Sequence, residues 1–259
     1  MVAVKMNYWI LQRAMVSKSS TPAPKIIAPF VAREKEIARL RQLHARRKHV
    51  LILGTGGVGK TALVDQIKEE LDLLVCPASE HFVTIFDSLE AQLGLTSDDL
   101  KLIQRKRRLL KALAGGKRTL VFDGVYWTTP KLSSFLECVM ERSPMWICTR
   151  SEHPWDMGHF WTWLVRFEKI ELQPLHLVET REFVSAAIEA KQIPRETAGI
   201  VEWLHHRSNG NPLILRELCE ELALNSYDLK NPLALRRLDL DRRIHEMFPD
   251  ATTSKKKGG

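Results

Sequence analysis

The glycine-rich segment GTGGVGKT at residues 54–61 is the feature that most constrains the fold of this chain. It fits the pattern G-x-x-x-x-G-K-[ST], in which glycines let consecutive backbone N–H groups turn toward a phosphate chain. The apolar run HVLIL precedes it, and apolar residues at helical spacing follow it. This context predicts a buried strand, a phosphate-binding loop (P-loop) and a helix whose N-terminus faces the phosphates.

The P-loop predicts contacts with a nucleotide and with a metal ion. We expect Lys60 to reach the β- and γ-phosphates, and we expect the Thr61 hydroxyl to bind Mg²⁺. The other residues expected to line the bound phosphates are Gly54, Thr55, Gly56, Gly57, Val58, Gly59 and Ala62.

Short β-prone segments alternate with helical patterns through the first two thirds of the chain. The candidate strands are 50–53, 72–76, 118–123, 145–149 and 167–172. This alternation predicts an α/β P-loop fold with a parallel five-stranded sheet, whose ligand lies at the carboxyl ends of the strands. The pattern is helical throughout after residue 173, so we expect a small all-α domain to follow.

The chain divides by composition into four regions. We place a basic arm and linker at 1–25, the nucleotide-binding domain at 26–173, the helical domain at 174–248 and a solvated tail at 249–259. The arm contains no acidic residue, which is also typical of organellar transit peptides, although a short amphipathic or disordered arm is the simpler interpretation. We therefore expect a cytoplasmic location, with a mitochondrial one as the alternative.

A second acidic group is needed to hold Mg²⁺, and the segment TLVFDGVYW supplies Asp123 at the end of an apolar strand, the Walker B position. Many hydrolysing proteins place a second acid directly after this one to position the attacking water, whereas this chain has Gly124. Glu80 or an acid from a neighbouring subunit are the alternative bases. Restoring an acid by Gly124→Glu is expected to raise turnover, unless the position requires a positive φ.

The segment MWICTRSE predicts a third part of the site. It reads as an apolar strand that ends in Thr149 and Arg150, and this would place a hydroxyl and a guanidinium near the γ-phosphate. A surface arginine that closes the strand is the alternative. We expect Lys60, Asp123 and Arg150 to be the residues that act on the phosphates.

The overall charge bears on the partners. The chain of 259 residues carries a formal net charge of +8, which favours an acidic partner such as nucleic acid. Its four cysteines are widely spaced without a C-x-x-C pair, so neither a disulfide framework nor a zinc site is indicated. No apolar stretch approaches the roughly 18 residues of a membrane span, so no membrane association is expected.

Two segments have more than one interpretation. The basic stretch RKRRLLKALAGGKR at 105–118 is either the solvated face of a helix or a track for nucleic-acid phosphates. The aromatic stretch PWDMGHFWTWL at 154–164 is expected to pack in the core, with a subunit interface or a base-stacking surface as alternatives.

Five segments follow one another between about Phe30 and Leu224: FVAREKEIARL, GTGGVGKT, TLVFDGV, ICTRS and NGNPLILREL. Taken together they resemble the AAA+-related signalling ATPases known as STAND, which include NB-ARC-type and archaeal-type ATPases. The resemblance implies ATP or ADP with Mg²⁺ as ligands, and a helical domain that acts as a lid. The chain differs from the usual pattern of these ATPases at Ala32, where they usually have glycine, and at Gly124, where they usually have a second acid.

The resemblance also implies roles for particular residues. Phe30, Val31 and Arg33 would flank the adenine, and Arg150 would sense the γ-phosphate. Gly210 and Pro212 of the lid would pack against the nucleotide, and Arg216 is similar in position to a second sensor. The chain is thus expected to be an ATP-binding switch or assembly ATPase with slow hydrolysis, acting as a homo-oligomer or with a protein partner. A nucleic-acid-associated helper, as in transposition or replication loading, and a non-hydrolysing scaffold are the alternatives.

Overall fold

The computed structural model of the chain describes residues 30–77, 82–96, 100–115 and 118–247. Five parallel strands form one sheet in the order β2-β3-β4-β1-β5. The strands are β1 Val50–Leu53, β2 Leu74–Pro77, β3 Leu120–Asp123, β4 Met145–Thr149 and β5 Glu168–Glu171. The predicted parallel five-stranded sheet is confirmed; β1 and β4 have the predicted bounds, and the ends of β2, β3 and β5 differ from the prediction by at most two residues. The predicted basic arm, the predicted tail and Glu80 lie outside the described residues.

Helices cover both faces of the sheet because alternate strand residues point to opposite sides. On one face, α1 (Glu34–Ala45) and α2 (Lys60–Ile67) pack against Val50 and Ile52 of β1. On the other face, Leu51 of β1 packs with α3 (Phe82–Leu93), α4 (Leu102–Leu113) and α5 (Pro130–Met140). Both faces of β1 are therefore buried, as expected of a central parallel strand.

The chain after β5 forms a helical unit with its own core. Its helices are α7 (Leu177–Glu189), α8 (Val201–Ser208), α9 (Pro212–Leu224) and α10 (Pro232–Met247), with a 3₁₀ helix at Arg195–Ile200. Their buried apolar residues form one cluster that includes Phe183, Leu204 and Leu218. The boundary at residue 173 stays a prediction. No helix within the described ranges is long and apolar enough to cross a membrane.

The connection from β4 to β5 corrects one expectation. It contains the short helix α6 (Pro154–Met157) and a 3₁₀ helix at Trp161–Arg166. Phe160 is fully buried, as expected, but Trp155 and Trp161 are 76% and 46% exposed. The prediction that this whole aromatic stretch packs in the core was wrong, because Met157, Phe160 and Leu164 take the buried positions of the connection and leave Trp155 and Trp161 facing solvent.

The basic stretch at 105–118 also has a mixed outcome. Leu109 and Leu113 of α4 are buried against the sheet, and Arg105 of the same helix forms ion pairs with Asp87 and Glu90. These partners raise the pKa of Arg105. Within this stretch the structure therefore gives Arg105 a local role between α3 and α4, whereas Arg107, Arg108 and Lys111 are exposed and a role for them in binding phosphates stays a prediction.

Candidate nucleotide site

The carboxyl ends of β3, β4 and β1 meet at one edge of the sheet and bring the predicted site together. The Cα of Asp123 is in register with Cys148, and the Cα of Leu53 is in register with Thr149. The P-loop follows β1 directly, so the P-loop, Asp123 and Arg150 share this edge. Parallel α/β sheets bind their ligands at this edge.

The backbone of the P-loop has the conformation that its glycines allow. Gly54, Gly57 and Gly59 have φ values of 154°, 78° and 102°, and Gly59 caps the N-terminus of α2. A Cβ added to Gly54 would lie 2.7 Å from Val58 Cγ1, so a larger residue does not fit there. The Val58 side chain is buried and packs with α1 and α2, which leaves its backbone as the part available to phosphate.

Lys60 lies within the P-loop. Its Nζ donates hydrogen bonds to the carbonyl oxygens of Gly54, at 2.6 Å, and Thr55, at 2.9 Å. Burial lowers the pKa of Lys60, the charge of Arg150 lowers it further and that of Asp123 raises it. Arg150 and Asp123 therefore lie close enough to Lys60 for their charges to change its pKa.

The two predicted metal ligands contact each other directly. Thr61 Oγ1 donates a hydrogen bond of 2.7 Å to Asp123 Oδ2. A hydroxyl and a carboxylate are oxygen ligands of the kind that Mg²⁺ prefers, and Mg²⁺ in nucleotide sites usually takes its other ligands from phosphate and water. In the described part of the chain, no group of three or more His, Cys, Asp or Glu residues could hold a metal ion. The Thr61–Asp123 pair would supply two oxygen ligands, and phosphate and water would supply the others.

We expect Asp123→Ala to remove the Mg²⁺ dependence of ATP binding more than the binding itself, because the variant loses the carboxylate of the Thr61–Asp123 pair. The measurement is ATP affinity by titration calorimetry with Mg²⁺ and with EDTA. Asp65→Ala, which removes an exposed carboxylate from α2, is the matched control. If Asp123→Ala retains the full Mg²⁺ effect, Asp123 only closes the strand.

Gly124 has a φ of 82°, so it requires the left-handed region. Its N–H donates a hydrogen bond of 3.0 Å to the Cys148 carbonyl, which fixes the turn after β3. The expected gain in turnover for Gly124→Glu required that position 124 does not need a positive φ, and the structure shows that it has one. A glutamate here would strain the turn that holds Asp123, which overturns the expectation of a simple gain in turnover.

Gly124→Glu is now expected to lower the free energy of unfolding by about 1–2 kcal/mol, the cost of a left-handed backbone for a residue with a Cβ. Urea unfolding of the variant and the parent measures this difference. Gly115→Glu is the control, because Gly115 has no positive φ and its Cβ would meet nothing within 4 Å. An unchanged midpoint for Gly124→Glu, or faster ATP turnover, would show that the turn accepts the side chain.

Arg150 lies beside the P-loop, as predicted. A Cβ built on Gly56 would lie 3.5 Å from the Arg150 Cζ, and Arg150 is exposed. Thr149 differs from the prediction, since it is 2% exposed and its Oγ1 donates to the Ser151 carbonyl at 3.1 Å. The Thr149 hydroxyl thus shapes the strand end, and only the guanidinium of Arg150 faces the P-loop.

The segment before α1 joins the P-loop to the helical unit. Arg33 is 6% exposed, and its Nη2 donates to the carbonyls of Gln173, at 2.6 Å, and Val58, at 3.3 Å. Phe30 packs against the core of α1 and α2, whereas Val31 packs against the core of the helical unit. Arg33 therefore positions the P-loop, and contacts of Phe30, Val31 and Arg33 with adenine stay predictions.

Ala32 has a φ of 58°, which is uncommon for a residue other than glycine. The sequence pattern usually has glycine at this position, and the left-handed backbone is the physical reason for that preference. Ala32 adopts this left-handed conformation although it has a Cβ. The segment before α1 therefore keeps its contacts with the P-loop and the helical unit.

The start of α9 rests on the P-loop. Asn211 caps this helix by accepting a hydrogen bond from the Leu213 N–H, and its Nδ2 donates to the Gly56 carbonyl at 2.8 Å. The Leu213 N–H also donates to the Gly57 carbonyl at 3.2 Å. Pro212 lies between them at the first position of α9. We call this set of contacts the lid contact.

Two glycines permit the lid contact. A Cβ on Gly57 would lie 2.6 Å from Asn211 Oδ1, and a Cβ on Gly210 would lie 2.2 Å from the Leu175 carbonyl. The sequence predicted Gly210 and Pro212 but not Asn211. The available signal was its position before a proline, where asparagine is a preferred N-cap. Arg216 pairs with Glu220 at 3.5 Å within α9.

A family model described as the AAA ATPase domain matches residues 29–227, which is more than three quarters of the chain. The chain belongs to the AAA ATPase domain family. The predicted relationship to AAA+-related P-loop ATPases is thereby confirmed. No curated protein matched the sequence.

Solved structures share the fold of this AAA ATPase domain at low sequence identity. ORC1 of Aeropyrum pernix, solved in complex with DNA, has a TM-score of 0.60 and 16% identity, over 91% of this chain and 69% of that one. The Walker-type ATPase PABY2304 of Pyrococcus abyssi has a TM-score of 0.59 and 14% identity, over 85% and 74%. Cdc6p of Pyrobaculum aerophilum has a TM-score of 0.53 and 14% identity, over 91% and 66%.

Proposed function

We propose that this AAA ATPase domain is an ATP-binding, Mg²⁺-dependent switch in which the nucleotide controls the contact between the P-loop and the helical lid. The observation that carries the proposal is the lid contact, because Asn211 and Leu213 donate to carbonyls of Gly56 and Gly57. A ligand in the P-loop changes the position of these same residues. Nucleotide binding and lid position are therefore coupled through one set of hydrogen bonds.

Each residue of the site has a proposed role in this switch. Lys60 transfers its hydrogen bonds from the P-loop carbonyls to phosphate, and Thr61 with Asp123 holds Mg²⁺. Mg²⁺ neutralises charge on the β- and γ-phosphates when it is bound. Arg150, beside Gly56, reads the presence of the γ-phosphate with its planar guanidinium. The Arg33 bonds to Val58 and Gln173 would carry a change in the P-loop toward the lid.

Slow hydrolysis fits the geometry after β3. Position 124 is a glycine in a left-handed turn, so it offers no carboxylate to polarise a water next to Asp123. The phosphate-binding parts do not depend on this position. Binding and turnover are therefore separable in this site.

We expect single-turnover hydrolysis by the isolated chain to be slower than about 1 per second, which is the low end of ordinary enzyme turnover. The measurement uses radiolabelled ATP with protein in excess, and Lys60→Ala reports any contaminating ATPase. A rate of about 1 per second or faster that disappears in Lys60→Ala would show that another residue supplies the base.

Association with nucleic acid is a second candidate, and a cluster of cations favours it. Arg46, Arg47 and Lys48 are exposed at the end of α1, and Arg166 is exposed before β5. Burial lowers the pKa of His49, and Arg166 and Lys48 lower it further. This surface is electropositive, which suits a phosphate backbone. Sedimentation of the purified chain with and without ATP and DNA distinguishes this candidate from assembly with a second copy.

A further inference from the structure

Four large aromatic side chains are exposed on neighbouring connections at the carboxyl edge of the sheet. Tyr126 and Trp127 follow β3 and are 66% and 57% exposed, while Trp155 and Trp161 follow β4 and are 76% and 46% exposed. We call these four residues the aromatic surface. The proposed switch uses none of them, and clustered exposed aromatic side chains typically mark a binding site.

Hydrogen bonds join the two connections that carry the aromatic surface. The Trp127 N–H donates to the Asp156 carbonyl at 2.5 Å, and a parallel bridge pairs Thr128 with Gly158. Thr128 is 1% exposed, and its Oγ1 accepts a hydrogen bond of 2.9 Å from the Phe160 N–H. A Cβ on Gly158 would lie 2.6 Å from the Thr128 carbonyl. Backbone bonds thus join the connection that carries Tyr126 and Trp127 to the connection that carries Trp155 and Trp161.

The backbone of Trp127 is strained. Its φ is 46°, in the left-handed region, which is a genuine outlier for a bulky side chain. Strained residues persist where the surrounding structure holds them, and they concentrate at binding sites. Here the Asp156 carbonyl and the Thr128–Gly158 bridge hold Trp127 while its ring stays exposed.

One cation lies close to the aromatic surface and a second lies farther along the chain. Lys131 is exposed four residues after Trp127, at the start of α5. Arg166 is exposed at the end of the 3₁₀ helix that begins with Trp161, where its charge lowers the pKa of His49 near the amino end of β1. The Arg166 guanidinium also stacks on the Trp163 ring, with 4.8 Å between its Cζ and the ring centroid. The acids in these connections are Asp156 and Glu152, and Glu152 is paired with Lys169.

We propose that the aromatic surface binds single-stranded nucleic acid. Unpaired bases stack on the rings of Tyr126, Trp127 and Trp155, and a phosphate contacts Lys131, as in other sites that combine aromatic platforms with cations. A duplex buries its base faces, so exposed rings favour a single strand. The net charge of +8 favours an anionic polymer over a neutral protein surface. This assignment rests on the second candidate function and places the bases at the carboxyl edge of the sheet, apart from the cations at the end of α1.

The test compares Trp127→Ala and Trp155→Ala with the parent in binding a fluorescein-labelled oligothymidylate, followed by anisotropy on the full chain. Each variant is expected to lose about 5- to 150-fold in affinity, the effect of one lost stacking contact. Trp155→Phe keeps a ring and should retain most of the affinity. Leu240→Ala, which truncates a side chain that is 55% exposed on α10, is the control and should bind like the parent.

Salt titration and ATP affinity complete the experiment. Binding by the parent should weaken with salt, with a slope of about −0.7 per neutralised phosphate. ATP affinity should be the same in Trp155→Ala and the parent. The ATP titration therefore tests the proposed switch independently of the nucleic-acid site. Parent-like oligothymidylate binding by both alanine variants overturns the aromatic surface as the site, even if the chain binds nucleic acid. The proposal is also overturned if the parent does not bind oligothymidylate at low salt. A change in the sedimentation of the variants without a change in their oligothymidylate affinity would likewise overturn it.

Discussion

Replacing Lys60 with alanine is expected to weaken ATP binding by about 10- to 150-fold, the usual value of a hydrogen bond to a charged group. The Lys60 ammonium lies within the P-loop and donates hydrogen bonds to the backbone carbonyls of Gly54 and Thr55. The variant removes the cation that would meet the β- and γ-phosphates. The fold should persist, because those carbonyls regain water at a partly exposed site.

Titration calorimetry with ATP and Mg²⁺ measures this loss, and circular dichroism checks the fold. Lys68→Ala is the matched control, since Lys68 follows the same helix α2 but pairs with Asp65 away from the P-loop. Equal ATP affinity in Lys60→Ala and the parent would remove the assignment of the phosphate site.

Gly57→Ala is expected to disrupt ATP binding and the lid contact together. Gly57 has a φ of 78°, and its added Cβ would lie 2.6 Å from Asn211 Oδ1 and 2.7 Å from Leu213 Cβ. Neither the loop nor the start of α9 accepts the methyl group without moving. The free energy of unfolding should fall by about 1–3 kcal/mol, the usual cost of overpacking, in addition to the backbone strain.

Gly94→Ala separates the two causes. Gly94 also has a positive φ, of 64°, but its Cβ would meet nothing within 4 Å, so this variant shows the cost of the backbone strain alone. Urea unfolding of both variants gives the difference. A Gly57→Ala protein with the stability loss of Gly94→Ala, and with parent-like ATP affinity, would show that the lid contact is not built on Gly57.

Much of the fold and of the phosphate site follows from local sequence. The P-loop, its strand and its helix are encoded in consecutive residues, and the placement of Asp123 and Arg150 follows from the rule that parallel strands end at one edge. The apolar runs of β1, β3 and β4 are long enough to mark buried strands. The P-loop and the buried strands are predictable because each depends on residues that are close together in the sequence.

Other parts of the site depend on contacts between distant residues. Asn211 meets Gly56 across 155 positions, and Arg33 meets Gln173 across 140, so no local pattern predicts either bond. The exposure of Trp155 depends on which side of a connection faces the sheet. The need for glycine at position 124 depends on a backbone angle, and glycine itself is compatible with either sign of φ.

Hydrogen exchange at the start of α9 is the most direct test of coupling between ATP and the lid. The Leu213 N–H donates both to the Gly57 carbonyl and to Asn211 Oδ1, and both bonds belong to the lid contact, so its exchange rate reports that contact. At an ATP concentration that saturates the parent but not Lys60→Ala, we expect ATP with Mg²⁺ to change exchange at Leu213 in the parent and to change it much less in Lys60→Ala. Identical exchange at Leu213 with and without saturating ATP, in a parent that binds ATP, would contradict the switch.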